Sequence, residues 1–282
     1  MKDKIVLITG SSSGIGLETA KALAGMGAEI LLAARSEDKL KEAVATIKAA
    51  TGNDKLKYYT VNFSSQKSIR ALAEKIKKDY AKLDVLINNA GAVFQDFALN
   101  EDGLEMTIAT NHFAYFLLTN LLLDLLKKAD SARIVNVASD SHYKGKIDYE
   151  SFKKNKSYFV LKAYEQSKLA NVLFTAELAE RLKGTRVTAN GLHPGSVVRT
   201  GIVNNDMPRY AKLIWGLVSS IMGMSIEDGA KTSVYLASSS AVNGVTGKYF
   251  NKCKVQKESA LAKDKQLAQE LWRVSEELCP LK

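Results

Sequence analysis

Residues 4–16 read KIVLITGSSSGIG: an apolar, β-branched run, then a turn rich in serine and glycine, then the start of a helical pattern. The run 5–9 has the length and composition of a strand buried on both faces. In the turn the glycines fall at 10, 14 and 16. Gly10 permits the tight turn, Gly14 lets backbone approach an anion, and Gly16 allows close packing of the helix, whose N-terminus faces that anion. Taken alone, a Ser/Gly turn that merely caps a helix is the competing reading. Strand, loop and helix in this order favour a pyrophosphate cradle built from Gly10, Ser12, Ser13, Gly14, Ile15 and Gly16.

Outward from this unit, short β-branched runs alternate with helical patterns. Strands are expected at 5–9, 29–33, 56–61, 85–88, 134–138 and 186–192, each nearly all apolar. Helices are expected at 16–27, 37–50, 66–80, 102–128 and 158–183. This alternation predicts an α/β fold: a doubly wound parallel sheet, a Rossmann-type three-layer sandwich in a single domain spanning 1–282. With 282 residues, only three prolines and no low-complexity linker, no boundary divides the chain. Three segments break the rhythm: inserts at 141–157 and 196–225, and a polar tail after Phe250. The two inserts follow the carboxyl ends of strands, where ligands sit in such sheets, so function is expected there.

The 40 basic and 30 acidic residues give a net charge of +10. The lysines, such as Lys48, Lys55, Lys57, Lys75, Lys77 and Lys78, are scattered and not interleaved with stacking aromatics, so nucleic acid is not an expected partner. The two cysteines, Cys253 and Cys279, are read as free thiols. No metal site is expected. The chain runs from Met1 straight into an apolar strand, which points to the cytoplasm. The longest apolar stretch, 213–224, falls short of the roughly 18 residues a membrane span requires.

At the end of the second strand, dinucleotide folds that select NAD carry an acid about 20 positions beyond the glycine turn. Here the chain reads Ala33, Ala34, Arg35, Ser36. The planar guanidinium of Arg35 matches a ribose 2′-phosphate, which predicts NADP(H); a solvated arginine ahead of a helix is the alternative. Farther on, YEQSK at 164–168 sets Tyr164 and Lys168 one helical turn apart. A phenol titrates near ~10, and an ammonium beside it lowers that value toward use at neutral pH.

Taken in order, TGSSSGIG at 9–16, NNAG at 88–91, VNVAS at 135–139 and YEQSK at 164–168 resemble the short-chain dehydrogenase/reductase family over nearly the whole chain. TNHFAYFLLT at 110–119, SKLANVLFTAEL at 167–178, HPG at 193–195 and GKYF at 247–250 resemble its retinol-dehydrogenase-like branch. The resemblance implies a catalytic tetrad of Asn111, Ser139, Tyr164 and Lys168. Tyr164 exchanges the proton with the substrate oxygen, Ser139 donates a hydrogen bond to it, Lys168 lowers the Tyr164 pKa and holds the nicotinamide ribose, and Asn111 seats a water leading to solvent. It also implies that Asn88, Asn89, Ala90 and Gly91 line the adenine-ribose side, that Pro194, Gly195 and Val197 flank the nicotinamide, and that Thr200 reaches the pyrophosphate or carboxamide. Asn62 stands where family members generally carry Asp, and its amide oxygen is expected to meet the adenine amino group.

The first insert carries His142, Tyr143, Ile147, Tyr149, Phe152, Tyr158 and Phe159, which either wall a substrate cleft or pack the insert onto the body. The second, with Ile202, Met207, Tyr210, Trp215 and Leu217, reads as an apolar lid. A lipophilic carbonyl or alcohol is the expected substrate, with peripheral membrane contact through the lid and a homodimer through the apolar helices 117–126 and 169–182 as further expectations. The alternative function is a silent NADP(H)-binding sensor or scaffold, a class in which the Tyr or Lys is typically lost; both are present.

Overall fold

The computed structural model describes residues 1–154, 157–195 and 225–281. In chain order the strands are β1 Ile5–Thr9, β2 Glu29–Ala34, β3 Leu56–Thr60, β4 Val85–Asn88, β5 Ala132–Val137, β6 Val187–His193, β7 Tyr249–Asn251 and β8 Lys254–Gln256. They form one sheet in the order β3-β2-β1-β4-β5-β6-β7-β8, parallel except for the final β7–β8 pair. The strand order reverses at β1, which opens a crevice beyond the carboxyl ends of β1 and β4.

The helices are α1 Gly14–Gly25, α2 Glu37–Thr51, α3 Gln66–Asp79, α4 Met106–Ile108, α5 Ala114–Lys127, α6 Val160–Arg181, α7 Ile226–Ser238 and α8 Lys265–Leu278. They cover both faces, which is why β1 reads as an unbroken apolar run. Val6 and Ile8 enter the core shared with Leu23, Leu40 and Leu236, whereas Leu7 enters the opposite core with Ile76, Phe113 and Leu173. β3 departs from the all-apolar expectation. It pairs only with β2, and Lys57, Tyr58 and Thr60 are exposed, as suits an edge that must resist further pairing.

Between α4 and α5 the expected single helix widens into a π-helical turn, Ala109–Phe113. Its start also moves from 102 to Met106, where the buried Glu105 caps it by accepting from Thr107 N at 2.7 Å and Ile108 N at 2.8 Å. The register of α6 is set by buried polar groups. Asn88 Nδ2 donates to Asn136 Oδ1 at 2.9 Å, and Asn136 Nδ2 donates to Thr175 Oγ1 at 3.0 Å, tying β4, β5 and α6 together.

The polar tail contains an amphipathic helix. In α8, Trp272 stacks on Phe174 with centroids 5.7 Å apart and meets Phe116 edge-on at 5.0 Å. His112 Nε2 lies 3.0 Å from Ser275 Oγ, so α8 is also tied to the π-helical turn; burial pushes the His112 imidazole down to about 3. This packing bears on the expected dimer. Leu117, Leu118, Leu122, Leu125 and Leu126 of α5 and Leu169, Leu173 and Leu178 of α6 are all buried within the chain. Leu121 and Leu123 on the same stretch of α5 stay partly exposed. No helix among the described residues is long and apolar enough to cross a membrane.

Candidate active site

At the carboxyl end of β1 the chain turns through Gly10 at φ +66°, where an added Cβ would lie 2.8 Å from Ala90 Cα. Gly16 is tighter: its Cβ would meet Gly10 O at 2.3 Å. Both positions exclude a side chain, one by conformation and one by contact. Ser11 is buried and pins the turn to the sheet, donating to Ile8 O at 2.8 Å and accepting from Ala33 N at 3.0 Å. Ser13 is exposed, Ser12 and Gly14 are half-buried, and Ile15 is buried. Ser13 occupies the N-cap of α1 without a side-chain hydrogen bond, in contrast to Ser36, Ser65, Ser225 and Asp264, which cap α2, α3, α7 and α8. The first-turn N–H groups of α1 are thus left for an anion.

The NNAG segment supports this turn more than it lines a ligand. Asn88 is buried, with Nδ2 directed to Thr119 and Asn136. Asn89 Nδ2 donates to Thr9 O at 2.9 Å and Gly10 O at 3.2 Å, while Asn89 N and Ala90 N both donate to Thr9 Oγ1. The Asn89 side chain, with the Asn89 and Ala90 N–H groups, thus braces β1 against β4. Asn62 closes a local turn, its Oδ1 accepting from Ser64 N at 3.1 Å and Ser64 Oγ at 2.9 Å. Arg35 is exposed at the end of β2 and has no hydrogen-bond or ion-pair partner among the described residues.

Gly91 is where the two halves meet. A Cβ there would lie 3.4 Å from Asn111 Oδ1 and 3.7 Å from Lys168 Nζ. Asn111, in the π-helical turn, is fully buried; Oδ1 accepts from Ala92 N at 2.8 Å, and Nδ2 donates to Ala92 O and Ser167 Oγ, each at 3.0 Å. Its amide protons are fully engaged. Lys168 is buried, donates to Val137 O at 3.2 Å, and sits 5.5 Å from the Tyr164 ring centroid. Burial pushes its ammonium down to about 8. Tyr164 is half-buried, and burial raises its phenol while the neighbouring Ser139 hydroxyl pulls it back down. Burial is the largest influence on the phenol and the Ser139 hydroxyl opposes it, while Lys168 turns its ammonium to the Val137 carbonyl. Ser139 Oγ in turn accepts from Ser141 N at 3.2 Å.

All four tetrad residues stand at the carboxyl end of the sheet: Ser139 just past β5, Tyr164 and Lys168 on α6, and Asn111 in the π-helical turn. Pro194 and Gly195 follow β6 at the same end, with Gly195 at φ +109°. Val197, Thr200 and the second insert except Ser225 lie outside the described residues. In the first insert, His142 and Phe152 are fully buried, and Ile147 and Tyr149 pack on the core. Tyr158 donates to Phe94 O at 2.9 Å rather than opening α6. Packing onto the body therefore accounts for these residues, leaving Tyr143 and Phe159 exposed. Ser11, Ser141, Ser167, His193 and Tyr249 carry structural weight in the site for which the sequence motifs assigned them no role; each is far in sequence from at least one of the groups it serves, apart from Ser141.

A glycine-cradled parallel sheet with a tyrosine, lysine, serine and asparagine gathered at its carboxyl end defines a class of α/β oxidoreductases. The family model for short chain dehydrogenase matches residues 4–211, and the chain belongs to that family, whose members act on CH–OH and C=O groups with a nicotinamide cofactor. It is 40% identical to retinol dehydrogenase 14 of Mus musculus, covering 98% of this chain and 86% of the relative. To retinol dehydrogenase 12 of Bos taurus it is 42% identical, again over 98% and 86% of the two chains. The crystal structure of an uncharacterized protein from Mycobacterium paratuberculosis matches with a TM-score of 0.77 and 32% identity, over 99% of this chain and 94% of that one. These relatives place the chain in the retinol-dehydrogenase-like branch.

Proposed function

We propose that the protein is an NADP(H)-dependent oxidoreductase that transfers a hydride between nicotinamide and the carbonyl or alcohol carbon of a lipophilic substrate. The observation that carries the cofactor choice is Arg35, exposed and without a partner among the described residues where NAD-selective folds place an acid. The uncapped α1 N-terminus and the side-chain-free approach at Gly16 fit the pyrophosphate of the same molecule. Bound there, the cofactor supplies the hydride. The name carried by the relatives, retinol dehydrogenase, supports a lipophilic alcohol or aldehyde, retinoids included, as the other reactant.

In this reading Tyr164 gives its phenolic proton to the carbonyl oxygen as the alcohol forms, and takes it back in oxidation. Ser139 donates to that oxygen and steadies its developing charge. Lys168, held by Val137 O, would hydrogen-bond the nicotinamide ribose and supplies positive charge near Tyr164. Asn111 fixes the Ala92 segment against Ser167, which keeps the π-helical turn and α6 in register. Because burial raises the Tyr164 phenol, its protonated form prevails at neutral pH, which suits carbonyl reduction.

The test follows NADPH absorbance with a panel of lipophilic aldehydes and ketones, retinal among them, for wild type, Tyr164→Phe and Arg35→Asp. Turnover lost in Tyr164→Phe, and a cofactor preference moved from NADPH toward NADH by about a hundredfold in Arg35→Asp, are the expected results. Turnover surviving in the Phe variant overturns the mechanism. NADPH binding with no turnover of any carbonyl favours the sensor reading instead.

A further inference from the structure

Directly after Ser139, Asp140 is gripped from two other strands. Its backbone N–H donates to Nδ1 of the buried His193 at 3.3 Å, and its Oδ2 lies 3.6 Å from His193 Nε2. Its Oδ1 accepts from the hydroxyl of the buried Tyr249 at 2.9 Å. An imidazole nitrogen that accepts carries no proton, so His193 is the neutral Nε2–H tautomer with that proton turned toward the carboxylate. One side of the Ser139 turn is therefore fastened to the last residue of β6 and the other to the first residue of β7. His142 adds a further tie, its Nδ1 at 2.8 Å from Ser139 O while its Nε2 accepts from Ser259 N at 3.3 Å.

His193 also immediately precedes Pro194 and Gly195, the segment that leaves β6 at the carboxyl end of the sheet. We propose that Asp140, His193 and Tyr249 form a positioning unit that holds the Ser139 hydroxyl in register with the Pro194–Gly195 turn, so that the group contacting the substrate oxygen and the segment flanking the nicotinamide move as one. None of the three touches the reacting atoms in this scheme; they act through Ser139. The inference rests on the oxidoreductase reading above. Of the groups facing His193, the Asp140 carboxylate favours the charged ring, whereas His142 on the Ser139 turn and Lys168 on α6 oppose it; Asp228, Lys231 and Lys252 line the cavity that His193 shares with Pro194. Burial, the largest influence on His193, favours the neutral form that Nδ1 acceptance requires.

Two substitutions separate positioning from packing. His193→Asn keeps an acceptor near the Nδ1 position, whereas His193→Leu keeps bulk and loses the acceptor. With the lipophilic carbonyl that wild type turns over best, kcat is expected to fall about tenfold to a hundredfold in His193→Leu and to stay within about threefold in His193→Asn, with KM and NADPH affinity nearly unchanged in both. Tyr249→Phe, which deletes only the hydroxyl, is expected to lower kcat severalfold. Hydrogen exchange supplies a readout that needs no substrate: the Asp140 amide is protected in wild type and His193→Asn and exchanges faster in His193→Leu. A wild-type kcat in His193→Leu, or equal losses in Asn and Leu variants, or Asp140 exchange that ignores the substitution, overturns the proposal. Absence of wild-type turnover overturns the functional reading instead, and the exchange result then decides the Asp140–His193 link alone.

Discussion

Lys168 and Tyr164 occupy neighbouring turns of α6, yet the lysine points its Nζ at Val137 O, 3.2 Å away, and leaves Tyr164 to the Ser139 hydroxyl. Holding an ammonium at about 8 in the folded chain, against about 10.4 when unfolded, has a measurable sign. Below about 8 both states are protonated and the penalty of burying the charge is fully present. Between those values the unfolded chain binds the extra proton, so folding stability rises with pH. Wild type is expected to gain on the order of 3 kcal/mol relative to Lys168→Met as pH goes from 7.5 to 10.5 in denaturant titrations. A stability gap that stays constant with pH would contradict the assignment.

The raised phenol of Tyr164 predicts an asymmetry between the two directions of reaction. As proton donor Tyr164 is in its working form across neutral pH, so it places no limb on the reduction rate between pH 6 and about 9. As base it must ionise, so kcat for alcohol oxidation is expected to keep climbing as pH approaches about 10. Steady-state pH profiles in both directions check this; an oxidation plateau near neutrality refutes it.

Gly16 admits no Cβ beside Gly10 O. Gly16→Ala is expected to displace the glycine turn and weaken NADPH binding at least about tenfold, read by fluorescence titration, with thermal unfolding as the control for fold. Unchanged affinity would mean that the turn is not the cradle.

Trp272 is almost fully buried between Phe116 and Phe174, with the Arg181 guanidinium 4.2 Å above its ring. Trp272→Ala is expected to cost about 3–5 kcal/mol in denaturant unfolding. A loss under about 1 kcal/mol would show that α8 contributes little to the α6 face.

The parts of the fold that were legible in the chain are those where burial on two faces or one strong turn dictated the residues. β1 and β4 fall where their apolar runs do, β2 and β3 differ by one residue at their carboxyl ends, and β5 and β6 shift by one or two residues at both ends. The β7–β8 hairpin escaped because Lys252 and Cys253 adopt left-handed conformations at φ 49° and 60° without the Asn-Gly signal that marks such turns. α8 did carry a signal: Leu267, Ala268, Leu271, Trp272 and Ser275 fall on one helical face amid charges that made the segment look like a tail. The π-helical turn is silent in sequence, since one extra residue per turn leaves the apolar pattern nearly intact. Tyr164 and Lys168 were readable because they are four residues apart. Asp140, His193 and Tyr249 were not, because only the sheet brings three separate strand ends together.

The position of α8 also shapes how the chain is made. It follows every other described helix and strand in chain order, yet it supplies the cover for Phe116 and Phe174 and the Ser275 tie to the π-helical turn. During synthesis from the N-terminus the sheet and the helix bearing Tyr164 therefore emerge with an uncovered aromatic face. A nascent chain at that stage is an adhesive intermediate whose aromatic face is covered only when α8 leaves the ribosome.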